Sequence, residues 1–170
     1  EQMHAGMLRP DHAPAPALHE ARNVAQELAQ APNVQPAQAP VALLFDYQAD
    51  WAWAIQPQGR GLEYFGLVFA HYRALRRAGL SVDILPPDGD LTGYRAVLAP
   101  GLMHMPDALK SRLAETGAEL LLGPRTAARD GEFSIPVPLP PALPGLDVTV
   151  ARVETLRPDC PRPLQGGGAV

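Results

Sequence analysis

The chain holds one cysteine, Cys160, and one lysine, Lys110, among 170 residues. A single thiol forms no internal disulfide and supports no all-cysteine metal site. No apolar run approaches the roughly 18 residues that a membrane-spanning helix needs, and no secretory leader pattern opens the chain. Net charge is −4, with thirteen arginines spread along the sequence, so there is no basic patch to serve as a nucleic-acid footprint. A bacterial cytoplasm fits this profile. The first residue is Glu1 and the end reads QGGGAV, which is expected of a piece of something longer.

Catalytic signatures are equally scarce. Neither a phosphate loop nor a complete dinucleotide fingerprint is present; Gly59-Arg60-Gly61 lacks the third glycine and reads as a turn. A nucleophile elbow would need Ser or Cys in a strand-to-helix turn, and the segment APGLMHMPD offers Leu102, Met103 and His104 instead. The histidines at 4, 12, 19, 71 and 104 show no metal-ligand spacing, so no metal and no cofactor is expected. Asp46 and Asp50 sit four apart behind one strand, an arrangement better suited to capping a loop than to acting on a sugar from two sides.

What is present is proline, 20 residues, most of them crowded into 10–40, 86–106 and 136–163, around a compact apolar middle. An amphipathic helix is expected from Pro16 to Ala31, with Leu18, Val24 and Leu28 near one face. From Val41 onward short strands alternate with helices. VALLF, SVDIL, YRAVLA and AELLL read as parallel strands, the first and last as buried runs. The first helix carries Phe65, Val68, Phe69, Tyr72 and Leu75 at helical spacing, and a second spans PDALKSRLAETG. LDVTVARVETL alternates like a half-exposed strand. This order indicates an α/β, doubly wound parallel sheet.

Aromatics are only 6% of the chain, yet Phe45, Tyr47, Trp51 and Trp53 fall together on the connection behind the first strand, read here as a loop. Core, ligand pocket and subunit contact are the three readings of that cluster.

Two segments together resemble one family. EQMHAGMLRPD is similar to the end of the catalytic barrel of glycoside hydrolase family 42 β-galactosidases, and FDYQADWAWAIQPQG with the following YRALRRAGLSVDI resembles that family's trimerisation domain. The resemblance implies a flavodoxin-like or class I glutamine amidotransferase-like sheet, preceded by a short C-terminal remnant of a TIM barrel. It implies segment 1–31 from the barrel, a linker over 32–40, the trimerisation domain over 41–158 and a disordered tail over 159–170. Glu1 and His4, three apart, match the family's galactose-binding pair; spacing alone assigns them nothing. The catalytic glutamates belong to barrel strands outside this sequence, so no residue here is expected to be catalytic. The implied function is non-catalytic assembly of a homotrimeric, retaining β-galactosidase acting on terminal β-D-galactosides, with Tyr47, Trp51 and Trp53 as interface candidates. A flavodoxin- or amidotransferase-like small-molecule domain and an autonomous sugar-binding module remain the alternatives.

Overall fold

The computed structural model describes residues 6–32, 36–157 and 159–160. The chain divides into two compact units, Glu1–Ala37 and Gln38–Val170, the division falling within the proline-rich 32–40 segment. Glu1 and His4, and nearly all of the 159–170 tail, lie outside the described residues.

In the first unit, helix α1 spans Pro16–Gln30. Proline at the first helical position fits, because its missing N–H is one the helix would leave unpaired. Val24 and Leu28 are exposed, and α1 has no buried residue.

The second unit is built on β1 (Val41–Leu44), α2 (Tyr47–Ile55), α3 (Tyr64–Arg77), β2 (Val82–Leu85), β3 (Ala96–Ala99), α4 (Asp107–Glu115) and β4 (Glu119–Leu122). All strand pairings are parallel and the order is β2-β1-β3-β4. That is the order of the first four strands of a flavodoxin-like sheet. The chain leaves β1 toward one edge through α2 and α3, and leaves β3 toward the other through α4. Right-handed crossovers running in opposite directions place those helices on opposite faces. β1 is central and covered on both sides, so all four of its side chains are buried.

Three expectations are corrected. The connection behind β1 is a helix, α2, and not a loop. Asp46, two residues beyond β1, is extended and its carboxylate accepts the Gln48 N–H at 3.0 Å, an N-cap that starts the helix. β4 is not a buried strand. As an edge strand it leaves Leu120 and Leu121 exposed, because no fifth strand covers its outer side among the described residues. Finally, LDVTVARVETL forms no strand; a single antiparallel bridge joins Thr149 to Pro141. Five prolines between 136 and 144 remove the N–H donors a neighbouring ladder would need.

Helix α3 also turns differently from its expected stripe. Tyr64 and Val68, four apart, are buried, with Leu67, Tyr72 and Leu75 packed against the core. Phe65 and Phe69 face outward, 63% and 49% exposed. A helix apolar on two faces has no unique inward side in its spacing, so Tyr64 is not distinguishable from Phe65 by pattern.

Candidate functional site

Open α/β sheets bind ligands beyond the carboxyl ends of the strands, where neighbouring connections diverge. Here that point lies between β1 and β3, flanked by Phe45-Asp46 on one side and Pro100-Gly101-Leu102 on the other. The chain's own aromatic side chains fill it. Trp53 is 3% exposed, and its indole Nε1–H donates to the Gly101 carbonyl at 2.8 Å. Tyr64 is fully buried, and its hydroxyl accepts the Asp46 N–H at 3.1 Å. The two rings lie 6.4 Å apart. Each therefore ties its helix to the backbone of a strand end, one to the β3 exit and one to the β1 exit.

Gly101 makes this closure fit. Its φ is +69°, and a Cβ there would stand 3.0 Å from Leu67 Cδ2, 3.2 Å from Trp53 Cζ2 and 3.2 Å from Tyr64 Cδ2. A side chain at 101 would compete with the two rings for one volume.

Burial removes water from the Tyr64 hydroxyl and pushes its pKa up to about 12, the carboxylates of Asp46 and Asp50 adding in the same direction against the Asp46 N–H bond. The neutral phenol is thus the form that the fold holds. Its contribution is complete below pH ~10, where the unfolded phenol begins to ionise, and is lost as pH rises through about 12. Urea unfolding followed across that window is expected to show a fall in stability of which Tyr64→Phe removes roughly 2–3 kcal/mol, the raised phenol of Tyr94 contributing the same sign in both proteins. An unchanged slope in the variant would mean that other groups govern alkaline unfolding.

A cavity of about 210 Å³ remains nearby, lined by Asp46, Ala49, Ala52, His104, Asp130 and Phe133. Its two carboxylates are already engaged. Asp46 caps α2, and one Asp130 oxygen accepts the N–H groups of Glu132 and Ser134. His104 Nδ1 lies 3.4 Å from the Arg129 carbonyl. No serine, threonine or cysteine lines the cavity, so the histidine has no nucleophile to activate. His71, on α3, hydrogen-bonds the Leu67 carbonyl one turn earlier. Among the described residues, no group of three or more His, Cys, Asp or Glu is placed to hold a metal ion, and no helix is long and apolar enough to cross a membrane.

The four clustered aromatics separate into two roles. Ala49, Ala52 and Trp53 form the inward face of α2, which withdraws Trp53 from the interface candidates: an almost fully buried indole offers nothing to a partner. Tyr47, Trp51 and Ile55, at successive turns, form the outward face, with Tyr47 68% and Trp51 62% exposed. Half-buried Phe45 links this face to α3. Its ring meets Tyr47 edge-on at 5.0 Å and Phe65 at 6.3 Å, and Phe65 stacks on Phe69. The Arg73 guanidinium caps the row, 5.9 Å from the Phe69 centroid. This is a continuous aromatic surface across two helices, larger than scattered apolar exposure explains.

The family described as the beta-galactosidase trimerisation domain matches residues 39–169. The chain belongs to that family. A β-galactosidase of Thermus thermophilus is 46% identical over 162 residues, covering 93% of this chain and 25% of its own length. A β-galactosidase of Halorubrum lacusprofundi is 39% identical over 135 residues, covering 78% of this chain and 19% of its own. Among solved structures, the β-galactosidase of the psychrophilic Marinomonas ef1 superposes with a TM-score of 0.75 at 38% identity, covering 99% of this chain and 28% of that one. The chain thus spans about a quarter of the length of relatives such as the Thermus enzyme. In the trimerisation domain the filled strand-end crevice and the exposed aromatic surface have a common sense: between the ends of β1 and β3 the fold presents packed rings rather than a ligand pocket.

Proposed function

We propose that this chain is the assembly module of a homotrimeric β-galactosidase that cleaves terminal β-D-galactosides in the cytoplasm, with no nucleic-acid or membrane partner. The observation that carries the reading is the pairing of a strand-end crevice filled by Trp53 and Tyr64 with exposed rings at Tyr47 and Trp51. Buried aromatics at the usual ligand position leave no room for a flavin or nucleotide, while exposed Trp and Tyr are the residue types that anchor protein contacts. The sugar-module alternative loses half its stacking platform, because Trp53 is inside. Glu1 and His4 contribute galactose hydroxyl contacts in this reading: a carboxylate accepts two hydroxyls and an imidazole donates or accepts one more. No residue of the chain carries a catalytic role.

In the intact protein, specific activity on a β-galactoside is expected to fall on dilution as trimers dissociate. Glu1→Ala and His4→Ala are expected to raise KM while leaving the oligomer mass unchanged. Activity without any galactoside preference would overturn the substrate assignment. Activity independent of dilution while the mass drops to one copy would overturn the link between assembly and catalysis.

A further inference from the structure

A trimer closed by one rotation axis has a single kind of junction, in which two different surfaces of the same chain meet. Two such surfaces occur in the Gln38–Val170 unit, one toward each edge of the sheet. On the β2 side, Tyr47, Asp50 and Trp51 are spaced i, i+3, i+4 and so share one face of α2. Tyr47 and Trp51 line a shallow recess of about 430 Å³ with Ile84, Pro86 and Pro87, and half-buried Asp50 stands at the edge of that face, toward Trp53 and Tyr64. Asp46, Asp50 and the exposed Asp88 make this side acidic.

On the β4 side, a cavity of about 620 Å³ opens beyond the strand's carboxyl end, walled by Ile135, Leu139, Leu146, Val148 and Val150. Arg125 and Arg129 line it. Arg129 is held by bonds to the Gln56 Oε1 at 2.9 Å and the Ala128 carbonyl at 3.1 Å. Arg125 makes no side-chain hydrogen bond among the described residues. Its backbone stands in the left-handed region at φ 63°, as does that of Ala127 at 52°. Non-glycine residues held there store strain of the kind found at functional contacts.

Among the described residues no carboxylate pairs with these two cations. The ion pairs among the described residues are Arg9–Asp11, Lys110–Asp107, Arg152–Glu154 and Arg157–Asp159, so Glu154, which also lines the cavity, is already matched. Burial and the charge of Arg129 both disfavour the Arg125 cation. A half-buried guanidinium against apolar walls is costly until a carboxylate reaches it. The β2 side supplies what is missing: the half-buried carboxylate of Asp50, at the margin of the helical face that carries the exposed Tyr47 and Trp51 rings.

We propose that the β4-side cavity receives the outward face of α2 from a second copy of this chain, Trp51 and Tyr47 entering the apolar walls and Asp50 pairing with Arg125. This rests on the trimer reading and specifies its junction. Each copy offers α2 to one neighbour and its cavity to the other.

The test uses the intact protein and sedimentation velocity. Trp51→Ala spoils the donor face and Arg125→Glu the acceptor. Each alone is expected to weaken association by about 30-fold or more. Mixed together, the two variants are expected to form dimers, because Trp51→Ala retains the cavity and Arg125→Glu retains the helix face. If Arg125→Glu lowers the melting temperature, Ile135→Asp, on the same wall at a side chain 64% exposed, takes its place as the acceptor variant. A mixture that stays monomeric, or a wild-type trimer that neither substitution weakens, overturns this junction and leaves the trimer reading standing. A wild-type protein that never associates overturns both.

Discussion

Replacing Trp53 with alanine is expected to destabilise the domain by about 3–5 kcal/mol, the range for truncating a buried large aromatic. The side chain is 3% exposed and lies between α2 and the exit of β3, where nothing else can fill its volume. Two effects add. The indole's apolar area returns to water or leaves a void, and the Gly101 carbonyl loses its donor in a buried setting. Trp53→Phe separates them: it keeps most of the ring volume and deletes only the donor, so it is expected to cost about 1–3 kcal/mol. Against a whole-domain stability of about 5–15 kcal/mol, the alanine variant is near the threshold of folding. Urea unfolding monitored by circular dichroism gives both values. Equal losses for Phe and Ala would place the whole effect in the hydrogen bond and contradict the packing argument.

Gly123→Ala is expected to be nearly as damaging, about 3 kcal/mol, at the upper end for an added methyl in a packed site. A Cβ at 123 would sit 2.6 Å from Pro100 Cα and 3.0 Å from the Gly101 N. Both obstacles are backbone, so no rotamer change relieves the overlap; the ends of β3 and β4 must part. The Gly123 N–H to Ala99 carbonyl bond, 3.3 Å, lies at this place and would lengthen. Gly66, on α3, is the natural control, because a Cβ there meets nothing within 4 Å and its φ is not in the left-handed region. Gly66→Ala is expected to stabilise by about 0.5–1 kcal/mol through helix propensity. A neutral Gly123→Ala beside a stabilising Gly66→Ala would show that the β3–β4 closure is looser than described.

The sheet was legible because its signals are local. VALLF is an unbroken apolar run bounded by proline before and aspartate after, and the helix of residues 107–115 carries Leu109 and Leu113 four apart. The aromatic cluster was legible as a cluster but not as a helix. Ala49, Ala52 and Trp53 face inward while Tyr47, Trp51 and Ile55 face outward, so apolar side chains occupy both sides and the period is blurred. The one local clue was Asp46, an N-cap residue two positions before the N–H it accepts. The same blur hid Tyr64 behind Phe65. The failure at β4 has a different cause: ELLL reads as buried whether or not a neighbouring strand exists, and that neighbour is not a property of the run itself. Arg125 and Arg129 gave no signal, since their proximity arises only when the turn after β4 folds back.

Within this account two tryptophans two residues apart do opposite work, Trp53 closing the fold and Trp51 facing a partner. The measurement that tests the central claim most directly is the mass of the intact protein in solution, by light scattering over a dilution series. Three copies are expected at the concentrated end, dissociating on dilution with no loss of secondary structure. A protein that remains one copy throughout, folded and with Trp51 still exposed to solvent quenchers, would contradict the claim that this domain exists to assemble.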